Sequence, residues 1–95
     1  MTVAGLLLRS FRPRCMARTS VTVVERPAHP AIDVHNHLGR WLSPTGGWLV
    51  DDVAALLDTM DARSIATIVN LDGRWGEELE ANLQRFDAAH PGRFV

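Results

Sequence analysis

From residue 31 onward, apolar and polar positions sort the chain into a regular series of elements. Residues 31–37, AIDVHNH, alternate as a strand does, so Ile32, Val34 and Asn36 are expected on one face and Asp33, His35 and His37 on the other. A loop follows, LGRWLSPTGGWL at 38–49. In VDDVAALLDTMDAR, Val53, Leu56, Leu57 and Met60 recur at i, i+3, i+4 and i+7, which predicts an amphipathic helix with Asp51 as its natural N-cap. SIATIVNL at 64–71 is a nearly continuous β-branched apolar run, the mark of a strand buried on both faces of a parallel sheet. After the turn DGRW, a second helix is predicted over 76–92, with Leu79, Leu83 and Phe86 on its inner face, acids in its first turn and Pro91-Gly92 after its last. Arg93, Phe94 and Val95 read as the start of a third strand.

The order strand, helix, strand, helix, strand places the chain in the α/β class as parallel β-α-β-α units. Two such strands and two helices cannot cover both faces of the sheet, so the expectation is the opening of a larger α/β structure. Upstream, VTVVE at 21–25 alternates and is read as a short edge strand, and Pro27 and Pro30 interrupt the chain before the next element. Residues 1–20 are read as a flexible basic tail, leaving 21–95 as the folded unit. An arginine-rich, acid-poor leader also fits an organelle transit peptide, and a start at Met16 would remove most of it.

Charge sharpens this division. The chain has 95 residues and a net charge of -1. Arg9, Arg12, Arg14, Arg18 and Arg26 stand against Glu25 alone in the first third, whereas Asp and Glu outnumber Arg from Asp33 onward. The tail lacks aromatic interleaving and any nucleic-acid-binding module, so no nucleic-acid partner is expected. No apolar run approaches the ~20 residues of a membrane span, so no membrane role is expected either. The single cysteine, Cys15, excludes a disulfide framework and fits a reducing compartment, the cytoplasm.

The chemistry-bearing positions lie at the C-terminal ends of the two strands, where α/β barrels and open α/β sheets place their sites. Two imidazoles about 6–7 Å apart along a strand can lean toward one ion. Asp33, one step deeper on the same face, is placed to orient a histidine ring or to ligate. Arg40, Trp41, Trp48, Arg74 and Trp75 lie in the loops after the strands, where an arginine can pair with a substrate carboxylate and a tryptophan can stack on a ring. The alternative is that the tryptophans simply cover the end of the structure. Asn70 and Asp72 end the second strand at the same height, and Asp72 is read first as a turn or capping residue, with a role in the site as the alternative.

DVHNHL, then a helix, then TIVNL, then a helix closing in AHPGRFV, resembles the N-terminal part of the amidohydrolase-related family of metal-dependent (β/α) barrel hydrolases and decarboxylases. The resemblance covers residues 31–95 and about the first quarter of a TIM-type barrel of about 250 residues. It implies that His35 and His37 bind a divalent metal, commonly zinc. It further implies a small-molecule substrate and hydrolysis of an amide or lactone, or decarboxylation of a carboxylated aromatic. In that family, later strands complete the metal site and carry the aspartate that handles the proton. The chain alone is therefore expected to bind metal weakly and to be inactive, and no catalytic residue is assigned within it. The competing expectation is a small non-catalytic α/β protein that self-associates or binds a partner through exposed sheet edges.

Overall fold

The computed structural model describes Gly5 and residues 7–95. Its regular elements are strand β1 (Ala31–Asn36), helix α1 (Val53–Ala62), strand β2 (Ile65–Asn70) and helix α2 (Gly76–Asn82), which runs on into a π-helical segment, Leu83–Ala88. The fold is a small α/β unit whose two strands pair in parallel, with α1 as the crossover between them. Phe94 forms a further parallel bridge to Ile68. Ile68 N–H donates to Arg93 O at 2.9 Å and Asn70 N–H to Val95 O at 2.8 Å. The start of a third strand read at 93–95 thus lies on the side of β2 opposite β1.

Helix α1 forms where the apolar spacing placed it, but its cap is one residue later than expected. Asp52, not Asp51, is the N-cap, and its Oδ1 accepts from Ala55 N at 2.9 Å. An N-cap carboxylate must reach the amide three residues on, and with the helix opening at Val53 only Asp52 stands at that distance. Met60 from α1, Ile68 from β2, Phe86, Phe94 and Leu38 form the buried core, with Trp48, Val50, Val53, Leu56, Leu57 and Ile65 packed around it. Each such side chain contributes on the order of 1.5–3 kcal/mol when fully buried.

Three expectations are corrected. The inner face of the second helix is not Leu79–Leu83–Phe86: Leu79 and Leu83 are each 39% exposed, while Asn82 and Phe86 are buried. Asn82 and Phe86, four residues apart, share the buried side, with Asn82 held inward by its bonds to Asn70 and Glu78 O, and this places Leu79 and Leu83 at the margin of that face. The segment 21–25 forms no strand. It is irregular, with Val21, Val23 and Val24 exposed, and pairs with neither strand, although Val24 and Glu25 lie near β1 and Arg63 donates to Glu25 O at 3.0 Å. Finally, of the residues of β2 only Ile68 is fully buried, and in β1 Ile32 and Val34 remain 62% and 68% exposed. The helices cover one side of a narrow sheet and leave the other open.

Arg93 ties the third-strand segment to what precedes it: its guanidinium donates to Ala66 O at 2.9 Å and pairs with Asp61 at 2.7 Å. His90 meets Phe94 edge-on, with ring centroids 6.1 Å apart. The tail expected over 1–20 lies partly outside the described residues, at 1–4 and 6; residues 11–20 are exposed and irregular after a single 3-10 turn at Leu8–Ser10. Among the described residues, no helix is long and apolar enough to cross a membrane.

Candidate metal centre

The residues singled out at the strand ends do meet, though not all in the expected way. His35 and His37 stand side by side at the C-terminal end of β1, their ring centroids 5.4 Å apart and edge-on. The alternation that should put Asp33 with them is disturbed. Burial in β1 alternates through Val34 and then breaks at His35, which is exposed, and the register with β2 shifts between Asp33 and Asn36. Asp33 takes part in that irregularity: its Oδ1 accepts from the backbone N–H of His35 at 3.3 Å. A short acid that bonds its own backbone two residues on competes with the ladder and favours such a bulge.

The carboxylate on the histidine pair is instead Asp72, just past the end of β2. Its side chain is fully buried, and Oδ1 lies 2.6 Å from His37 Nδ1. Its Oδ2 accepts from Gly39 N–H at 2.8 Å. Two asparagines extend the network. Asn70 Oδ1 accepts from Leu38 N–H at 3.0 Å and from Asp72 N–H at 3.2 Å, and its Nδ2 donates to Asn82 Oδ1 at 3.0 Å. Asn82 in turn donates to Glu78 O at 2.9 Å. The end of β2 therefore clamps three consecutive residues after β1: His37 by its ring, Leu38 and Gly39 by their amides. From the sequence a site role for Asp72 is the second choice, and the parts played by Asn70, Asn82 and Gly39 are missed. The available signal was the pair of short polar residues at 70 and 72, at the level of the histidines.

The five rim candidates divide. Arg40 is held by Glu78 through two bonds of 3.1 and 2.8 Å, and its guanidinium lies 4.3 Å from the centre of the Trp48 ring. That hydrogen-bonded pairing raises the Arg40 pKa above its ordinary value and lowers that of Glu78 below the usual carboxylate range, against a smaller opposing effect of desolvation. Trp48 is also covered by Arg85, at 4.5 Å, and meets Phe86 edge-on. Arg40 and Trp48 thus close the end of the core. Trp41 and Trp75 are exposed by 51% and 76%, and the Arg74 guanidinium lies 5.6 and 5.5 Å from their rings. Trp41 is also 6.0 Å from His37, so Trp41 and Arg74 are the rim residues beside the histidines. They line an open depression with Arg40, Gly46 and Glu78.

Two neutral imidazoles form a borderline-soft donor pair of the kind zinc accepts. With Nδ1 of His37 engaged by Asp72, its other nitrogen, Nε2, is the one left to ligate, so this part of the donor set fits a metal. A tetrahedral site needs more, and no group of three or more His, Cys, Asp or Glu side chains among the described residues is arranged to hold an ion. Comparison with known protein families, with curated proteins and with solved structures found no match to this chain.

Proposed function

We propose that the chain supplies the first β/α units of a metal-dependent barrel enzyme resembling the amidohydrolase-related family, with His35 and His37 as two ligands of a divalent metal, commonly zinc. The observation that carries this reading is the histidine pair at the C-terminal end of a parallel strand, with a buried carboxylate on the far nitrogen of one ring. A carboxylate–histidine pairing of this kind accompanies most metal-binding histidines. The sheet supports the barrel reading, since a third parallel segment is seated on β2 and apolar Ile32 and Val34 lie open on β1.

A divalent metal bound there supplies Lewis acidity, for hydrolysis of an amide or lactone or for decarboxylation of a carboxylated aromatic. The chain's own residues do the rest. Asp72 holds the His37 ring, Asn70 holds the backbone beside it, and Trp41 with Arg74 presents an aromatic and cationic rim to a small substrate. Two ligands make binding weak. Calorimetric titration of Zn²⁺ into the chain should show binding that is lost in His35→Ala and in His37→Ala; a folded chain that takes up no zinc, or takes it up equally in both variants, would sink this reading.

The second reading is a non-catalytic module that self-associates, and the exposed Ile32 and Val34 beside the open edge of β1 favour it. Sedimentation equilibrium distinguishes it. A zinc-independent oligomer that Ile32→Lys dissociates would support the module, and a monomer at all concentrations would reject it.

A further inference from the structure

We propose, resting on the metal reading above, that Asp72 is a positioning residue that fixes the tautomer of His37 and so decides which ring nitrogen a metal meets. A carboxylate only accepts hydrogen bonds. Its Oδ2 is already occupied by the Gly39 N–H, and its Oδ1 lies 2.6 Å from His37 Nδ1. The proton of the neutral ring must then sit on Nδ1, which leaves the lone pair on Nε2. The side chain of Asp72 is fully buried while that of His37 is 27% exposed, so the anchored end of the pair faces inward and the ring can be reached from outside.

The carboxylate is itself held in place. Asp72 N–H donates to Asn70 Oδ1, the same oxygen that takes Leu38 N–H, so the strand ends are tied on both sides of the His37–Asp72 contact. Gly39 is what admits it. A Cβ added there would stand 2.9 Å from both Cβ and Oδ2 of Asp72.

The isosteric amide separates this role from simple packing. In Asp72→Asn the fixed Gly39 N–H must still be met by an oxygen, since an NH₂ group there would put two donors face to face in a buried site. The amide therefore turns its NH₂ toward His37, where it donates to Nδ1. That drives the ring proton to Nε2 and blocks the nitrogen meant for metal. Loss of such an outer carboxylate typically costs 10–100-fold in metal affinity, and about that loss of Zn²⁺ affinity is expected here.

The test is the ¹⁵N spectrum of the imidazole ring in the metal-free full chain, paired with Zn²⁺ titration of wild type and Asp72→Asn. Expected are protonated Nδ1 and bare Nε2 at His37 in wild type, the reverse in the variant, and zinc binding weakened at least tenfold. A wild-type His37 protonated on Nε2 overturns the proposal without recourse to any variant, so a variant that fails to fold does not shield it. Reversed tautomers with unchanged zinc affinity also overturn it. Zinc that binds neither protein, beside the expected tautomers, defeats the metal reading while supporting Asp72's hold on the ring.

Discussion

Gly39→Ala should destabilise the chain by about 2–4 kcal/mol, although it adds one methyl group at a position with no unusual backbone demand. The new Cβ would sit 2.5 Å from Asn82 Oδ1 and 2.9 Å from Asp72 Cβ and Oδ2. Relief by swinging a side chain is closed off. Asn82 Oδ1 accepts from Asn70 and its amide donates to Glu78 O, so it cannot move without breaking two bonds. Asp72 Cβ cannot move without the strand end. The backbone at 39 must therefore withdraw, breaking the 2.8 Å bond from Gly39 N–H to the carboxylate, a charge-assisted bond worth about 1.5–3 kcal/mol. Overpacking strain of about 1–3 kcal/mol overlaps with it. At an m-value of about 1.5 kcal/mol/M, urea unfolding followed by circular dichroism should show a midpoint lowered by roughly 1.3–2.7 M. Gly47→Ala is the control, because its Cβ meets only Thr45 Oγ1, at an ordinary 3.6 Å, and should cost nothing measurable. Equal midpoints for the two variants would refute the claim that the strand ends are clamped together at this glycine.

Phe86→Ala removes a side chain with no exposed surface at the meeting of Trp48, Phe94 and the core, and should cost about 3–5 kcal/mol in the same assay; a loss below about 1 kcal/mol would place the core elsewhere. The Arg40–Glu78 pair sets an acid dependence. Because the Glu78 pKa is lowered in the folded chain, its contribution is fully present above the ordinary glutamate value and is lost as pH falls through the lowered one. The stability difference between wild type and Glu78→Gln should therefore be small at neutral pH, as befits a partly exposed pair, and should shrink further on acidification below the ordinary glutamate range. A difference that grows toward acid would reverse the assigned sign.

The elements with a clear period are legible in the amino-acid pattern alone. Met60 stands in the core beside Val53, Leu56 and Leu57, as their spacing on one helical face requires. His35 and His37 meet because residues two apart on a strand share a side. The second helix is legible only in part. Leu79, Leu83 and Phe86 look like one stripe, but Asn82 and Phe86 face inward and the two leucines lie at the margin, because Asn82 is drawn in by its bond to Asn70, a partner 12 residues away that an apolar pattern does not reveal. In β1 the alternation carries Asp33 onto the histidine face, whereas the register break leaves its carboxylate on the backbone of His35.

By itself, the sequence determined the α/β order, the parallel pairing and the place of the two histidines at a strand end, because hydrophobic period and chain direction are local properties. Only the tertiary structure decided which carboxylate serves them. Asp33 is two residues from His35, and Asp72 is 35 residues from His37. A strand directs near neighbours along its own backbone, but the bond to a ring nitrogen depends on which residue the parallel crossover through α1 delivers to the same height. That residue is Asp72, held there by Asn70, Asn82 and the space left by Gly39.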